Sequence, residues 1–434
     1  MKSDFLLTVL CFLPISGGML WGQEKKPAPD RPEKWLWSTA HAVPPETTSD
    51  ESGYFSLVEG HNKRLYIGTA VYGDNAFLVE FDPKRGSMTT VLDAEKEIGI
   101  DRKGFAAQAK FHTRNNVGRS GRIYLGTKQG YIKDKDQETL ADYPGGYPMV
   151  FDPQSGKTKV YDIPIPHQGI ISVTPDESRN LAYISTCSDT RPIESTHFLA
   201  LDLKTGTYEN LMDCQHVYAF IVIDHRGRAY HPILGGGIAR FDPDRKVLDK
   251  LTQTIDGAPP TKESHLADPH SHPINWEISP DRRTLYAVPM NHNGIFSYQL
   301  DKEETGNLPG TRLGPLVPGA EKTDCRAMCV GPDGRVWAGV MATLPGEIQL
   351  PHLVSYRPGD PAPVDHGVFG IRNPEYTSFE GPFKHGVHRP FSDHTLVSRY
   401  TIMAACAAAD GTVYLTTLYP FTLHALRVDE NPEE

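Results

Sequence analysis

Short apolar strands alternate with polar turns along the whole chain, and two strand types recur. The first follows a turn and reads Arg-x-Tyr or Arg-x-Trp: Arg64-Leu65-Tyr66, Arg122-Ile123-Tyr124, Arg228-Ala229-Tyr230 and Arg335-Val336-Trp337. Looser copies are Leu181-Ala182-Tyr183, Thr284-Leu285-Tyr286 and Thr412-Val413-Tyr414. The copies fall about 45–77 residues apart, the spacing of a repeated β-unit. A second strand phrase follows each: Val79-Glu80-Phe81-Asp82-Pro83, Val150-Phe151-Asp152-Pro153, Ala200-Leu201-Asp202-Leu203 and Arg240-Phe241-Asp242-Pro243. It continues as Ser297-Tyr298-Gln299-Leu300, Val354-Ser355-Tyr356-Arg357 and Ala425-Leu426-Arg427-Val428. Seven copies predict an all-β fold, a seven-bladed β-propeller of four-stranded meanders.

Blade three shows the plan: Ile170–Val173, Ala182–Ser185, Phe198–Leu201 and Thr207–Leu211 from axis to rim. Asp-Gly turns at Asp333-Gly334 and Asp410-Gly411 join first strands to second. Too few residues follow the third strand of the last blade to build its fourth. The stretch 34–39, with Trp35 and Trp37, has strand composition and is expected to supply it, an N-terminal strand closing the last blade. Blades are expected to begin near Gly53, His112, His167, His216, His272, Asp324 and Tyr400. Residues 128–147 and 370–400 exceed the plan, and long ordered loops are often functional.

Composition narrows the class. The 434 residues carry a net charge of −10, which argues against a nucleic-acid partner; an acidic sugar would need a local basic patch. Residues 1–22, with Lys2 before an apolar run to Trp21, read as a cleaved signal peptide. Pro14 and Gly17-Gly18 interrupt that run, which is short for a membrane span. Residues 23–33 read as a flexible leader and 34–434 as the propeller. The mature protein is expected to be secreted or periplasmic, monomeric and free of the membrane. Five cysteines follow the leader, too sparse for a disulfide-stapled fold.

The candidate chemistry is a set of histidines at repeat-equivalent places. His112, His167, His216 and His272 precede the inner strands of blades two to five. His197, His231, His292 and His352 are expected in loops after second strands, which share that face of a propeller. A lone histidine there caps a strand or bonds a neighbouring blade. Four on one mouth suggest proton transfer or a metal site. Cys214-x-His216, with His272 and Cys325 in the next two blades, would suit a divalent metal, most simply zinc.

Through Lys110-Phe111-His112 and Gly121-Arg122-Ile123-Tyr124 the chain resembles seven-bladed propeller polysaccharide lyases of the ulvan lyase type. The resemblance implies a catalytic histidine at His112 and a channel metal with histidine and cysteine ligands. Where those lyases place a second histidine, this chain reads Gly126-Thr127-Lys128-Gln129-Gly130-Tyr131. Where a tyrosine is expected, it has His167; Arg191 is nearest to the arginine that neutralises the uronate. Oligogalacturonate lyases and streptogramin lyases are similar in being propellers with a histidine-lined metal site. The expectation is a secreted lyase cleaving an acidic polysaccharide or oligosaccharide by β-elimination. His112 and His167 would be base and acid, Tyr131 or Tyr218 would assist, and Arg114, Arg191 or a metal would neutralise charge. The alternative is a non-catalytic propeller binding a glycan or protein through the same face. A lactonase-like hydrolase would want a carboxylate-rich site, which the channel entrances lack.

Overall fold

The computed structural model describes residues 28–49, 54–132, 137–188, 195–215, 220–259, 273–302, 306–373, 376 and 384–428. The expected signal peptide, residues 1–22, lies outside them. Among the described residues no helix is long and apolar enough to cross a membrane.

Each recurring phrase is a strand. The Arg-x-Tyr phrases begin the second strand of seven successive antiparallel units: Leu65–Gly68, Ile123–Lys128, Leu181–Cys187, Ala229–Ile233, Thr284–Pro289, Val336–Thr343 and Val413–Thr417. The Asp-Pro phrases and their variants end the third strands, such as Phe77–Asp82, Pro148–Asp152 and Gly237–Asp242. Among the described residues the first strands touch in a closed ring. It runs from Leu57–Glu59 through Asn116–Val117, Gly169–Asp176, Val222–Ile223, Pro273–Ile278 and Lys322–Val330 to Ile402–Ala407, which returns to the first. The result is a β-propeller.

Packing explains the phrases. A second strand has a neighbouring blade on each face, so nearly every residue is buried, as in Ile123–Lys128 and Val413–Thr417. That yields consecutive apolar residues at the strand start, Ile123-Tyr124-Leu125 and Val413-Tyr414-Leu415, instead of alternation. Outer strands such as Ser87–Asp93 and Tyr208–Gln215 are half exposed and mostly polar. The Asp of the third-strand phrase makes the turn that follows. Asp82, Asp152, Asp202 and Asp242 each accept a backbone N–H two residues on through Oδ1, at 2.8–3.0 Å. The turn from first strand to second always holds one left-handed residue. Four are glycines, but Lys63, Asn180 and Arg282 take φ of 62°, 55° and 57°.

The ring closes as the two tryptophans suggested. Trp35–Ala42 pairs antiparallel with Thr422–Leu426, Ser38 opposite Leu426 and Ala42 opposite Thr422. Its other edge pairs in parallel with Val364–Ile371, the outer strand of blade six. Blades four and five are joined likewise, Val247–Ile255 lying parallel to Asn307–Gly314. His424 fixes the closure. Its fully buried ring bonds Ser38 Oγ at 3.0 Å through Nδ1, and Thr417 Oγ1 at 2.9 Å and Ser398 Oγ at 3.2 Å through Nε2. Burial pulls its pKa down to about 3, so the imidazole is neutral. Part of the expected flexible leader is docked: Ser392 N donates to Pro29 O at 2.8 Å, and Arg31 pairs with Asp393.

Candidate functional site

Loops leading into first strands and loops following second strands emerge on one face, here called the upper mouth. Blade one contributes Tyr54 from the first kind of loop and Tyr72 from the second. Blade two contributes Lys110 and His112 from the first kind and Tyr131 from the second. These side chains meet. The Tyr54 hydroxyl lies 2.9 Å from that of Tyr72 and 3.1 Å from that of Tyr131. Lys110 Nζ sits 4.5 Å from the Tyr131 ring centroid and 5.3 Å from each of the other two. Three phenols therefore gather round one ammonium, an arrangement favoured by the negative faces of the rings.

The cluster is layered. Tyr131 is outermost, 37% exposed; Tyr54 is 8% exposed; Lys110 and His112 are buried. The His112 ring stacks on Tyr54 at 4.2 Å and meets the edge of Phe55 at 5.5 Å. His112 thus packs beneath Tyr54, with about 1% of its surface exposed. Lys110–Phe111 is not part of the inner strand but pairs with the end of the second strand, Lys110 opposite Lys128. Directly opposed residues project to the same side, so two buried lysines share one face.

The other predicted residues separate. His167 is exposed at the mouth, with Nδ1 2.7 Å from Tyr143 O. A carbonyl only accepts, so Nδ1 is the donor in this bond. Arg114 does not face the mouth but crosses the channel to blade five, donating to Trp276 O at 2.7 Å and Glu277 Oε2 at 2.9 Å. Its guanidinium also lies 4.7 Å from the Phe220 ring centroid. It serves the ring, because its donors are already matched there. It borders a cavity of about 350 Å³ on the opposite side of the channel, with Glu59, Glu277, Cys329 and Cys406.

The metal expectation does not fit the cysteines. Cys325 is fully buried in the apolar core between blades five and six, beside Tyr286, Val288 and Met328, and burial pushes its thiol pKa well up. Cys214 lies on the outer strand of blade three, 3.0 Å from Thr196 Oγ1 and 3.8 Å from His231 Nδ1. Its thiol is raised to about 11 by burial. Neither is a ready thiolate, and they pack in different places. Among the described residues no three His, Cys, Asp or Glu side chains group as metal ligands do. His216, His272, Tyr218 and Arg191 lie outside the described residues.

Of the second set of histidines, His292 lies in the loop after Thr284–Pro289 as expected, and the other three do not. His197, His231 and His352 fall inside strands. His231 is buried, bonded to Ser185 Oγ at 2.9 Å and lowered to about 4 by burial. His352 bonds Asp365 at 3.1 Å. Tyr54, Tyr72 and Lys110 were missed as site residues. One signal was available: Tyr72 and Tyr131 both stand within a few residues after the second strands of adjacent blades. Backbone strain marks the same face, where Tyr54, His167 and Tyr419 take φ of 137°, 63° and 65°, conformations that L-residues hold only when their surroundings enforce them.

No family model matches the sequence, and no curated protein does. Solved structures match in shape. The chain is similar to a streptogramin B lyase with a TM-score of 0.55 and 11% identity, covering 91% of this chain and 100% of that one. It is also similar to a chain of the mitotic checkpoint complex, with a TM-score of 0.51 and 10% identity, covering 97% and 99%. At such identities the likeness is one of fold, and the fold is a β-propeller.

Proposed function

We propose that the protein is an exported lyase that cleaves an acidic glycan by β-elimination at the upper mouth. A lyase and a checkpoint-complex chain share the fold, so the fold does not choose between catalysis and binding. The observation that carries the reading is the phenol trio around Lys110. β-Elimination beside a uronate carboxylate needs a base for the adjacent proton, an acid for the leaving oxygen, and positive charge to support the carbanion-like transition state. Tyr131 is the phenol a bound chain touches, and the ammonium 4.5 Å from its ring supports its anion. The Tyr54 hydroxyl, 3.1 Å away, solvates that anion. As phenolate, Tyr131 takes the proton; His167, held through Nδ1 by Tyr143 O, is the acid that returns one to the leaving oxygen. Lys110 and Lys128 supply the positive field.

Elimination leaves an unsaturated uronate that absorbs near 235 nm. The expected result is rising absorbance with a uronate-containing polysaccharide, abolished in Tyr131→Phe. No rise with polygalacturonate, ulvan or alginate overturns the lyase reading. A non-catalytic propeller binding an acidic glycan through the same mouth is the second reading. The burial of Lys110 and His112 favours it, because both act on a ligand only through their field or their packing.

A further inference from the structure

The geometry points to a second acidic-sugar subsite on blade seven, built on the plan of the Tyr54–Tyr72 site. Tyr400 precedes the first strand of blade seven as Tyr54 precedes that of blade one. Tyr419 follows the second strand as Tyr72 and Tyr131 do. Their rings meet edge to face, with centroids 5.2 Å apart. The ring of His385 stacks on Tyr419 at 4.7 Å, and the Arg399 guanidinium lies 5.7 Å from the Tyr400 centroid. His385 and Arg399 are exposed, and both tyrosines are half-buried.

The loop that carries this platform is fastened. Gly386 N donates to Tyr419 O at 2.7 Å, and Arg399 N donates to Gly386 O at 2.7 Å. A Cβ on Gly386 would come within 2.3 Å of the carbonyl oxygens of Leu418 and Tyr419, so only glycine allows the approach. Tyr419 holds the same left-handed backbone as His167. Tyr419 and Tyr72 both rest on the core cluster that contains Tyr54 and Phe55. Three consecutive blades, seven, one and two, thus each place a tyrosine after the second strand.

Charge identifies the occupant. In a chain of net charge −10, the platform presents the exposed Arg399, and the one acid of residues 384–400, Asp393, pairs with Arg31. An exposed guanidinium beside aromatic faces suits a sugar ring bearing a carboxylate: the ring stacks and the carboxylate pairs with arginine. This subsite rests on the glycan reading above and deepens it. It would hold a uronate some units from the bond at Tyr131, with the chain running from blade seven across blade one to blade two.

The test is binding of polygalacturonate, ulvan and alginate, followed by affinity electrophoresis, alongside absorbance at 235 nm. Arg399→Gln and Tyr400→Ala are expected to weaken binding at least about tenfold, with any effect on turnover falling on KM. Arg389→Gln is the control, because Arg389 Nη1 caps His394 O at 2.5 Å, off the platform. It should bind as the wild type does. Equal loss in Arg389→Gln and Arg399→Gln reports diffuse charge attraction and overturns the subsite, as does full binding by Tyr400→Ala in folded protein. Wild-type binding without absorbance overturns the lyase and leaves the subsite standing. No binding to any of the three chains overturns both.

Discussion

Blade seven contains two histidine settings that could hardly differ more. Inside the blade, His424 is enclosed by the hydroxyls of Ser38, Ser398 and Thr417, each at a fixed distance, and its ring is neutral. On the mouth, His385 lies open to solvent against Tyr419. Blade two repeats the contrast in another form, with His112 buried beneath Tyr54 and Tyr131 exposed above. The same residue type serves the scaffold where every nitrogen is matched by strand hydroxyls. It becomes available for chemistry only where loops carry it past the ends of the strands.

The largest effect should come from removing the closing strand. Deletion of residues 28–42 strips both the antiparallel and the parallel partners from the edges of blades seven and six and leaves the His424 cage without Ser38. Loss of the cooperative transition in calorimetry is expected. A truncated chain melting like the full one would show that closure contributes little. Next comes the mouth: Tyr131→Phe should lower turnover about 10²–10⁴-fold with little change in melting temperature, because phenylalanine keeps the ring's packing on Tyr72 and Lys110. His112→Ala should lower both, costing about 2 kcal/mol of stability, since it empties the space beneath Tyr54. If His112→Ala alters turnover alone, the histidine reaches the substrate and its supporting role is wrong.

The buried histidines give the contrast a pH signature. His424 and His231 are lowered to about 3 and about 4 from the ordinary 6.5. The unfolded chain therefore binds more protons below 6.5, and stability falls as pH drops from there toward 4 and 3. Urea midpoints should be level above pH 7 and decline below 6.5. His424→Gln should flatten part of that decline, and an unchanged slope would remove His424 from the account. The smallest effect is at the turns: Arg282→Gly relieves a left-handed arginine at φ 57° and should stabilise by about 1 kcal/mol or less. A measured loss would mean that the side chain carries an interaction worth more than the strain.

The scaffold was legible because its signal is strongest where burial is most complete. Second strands packed on both faces open with consecutive apolar residues, and Trp35 and Trp37 advertised the closing strand. The mouth was harder to read. Tyrosine also fills the second strands, as Tyr66, Tyr124, Tyr183 and Tyr230 do, so Tyr72 and Tyr419 did not stand out by type. Lysine is rarely buried, which hid Lys110 and Lys128. Histidines drew attention, but a shift of a few residues in a strand boundary moves a side chain from loop to core, as at His197, His231 and His352. Arg114 and Cys325 depended on which way a side chain turns from the inner strand, which spacing alone does not fix.

The strand at 35–42 is synthesised six blades ahead of its antiparallel partner at 422–426. Six blades can stack as they emerge, but the closing strand waits for its antiparallel partner until blade seven is made. Folding therefore has a late, long-range step whose loop-closure cost falls at the end. Because both ends of the fold meet in one sheet, the circle can be reopened elsewhere: joining residue 428 to residue 34 through a short linker and cutting between 43 and 49 would make the two partners neighbours in sequence. The same ring would then form by local pairing alone.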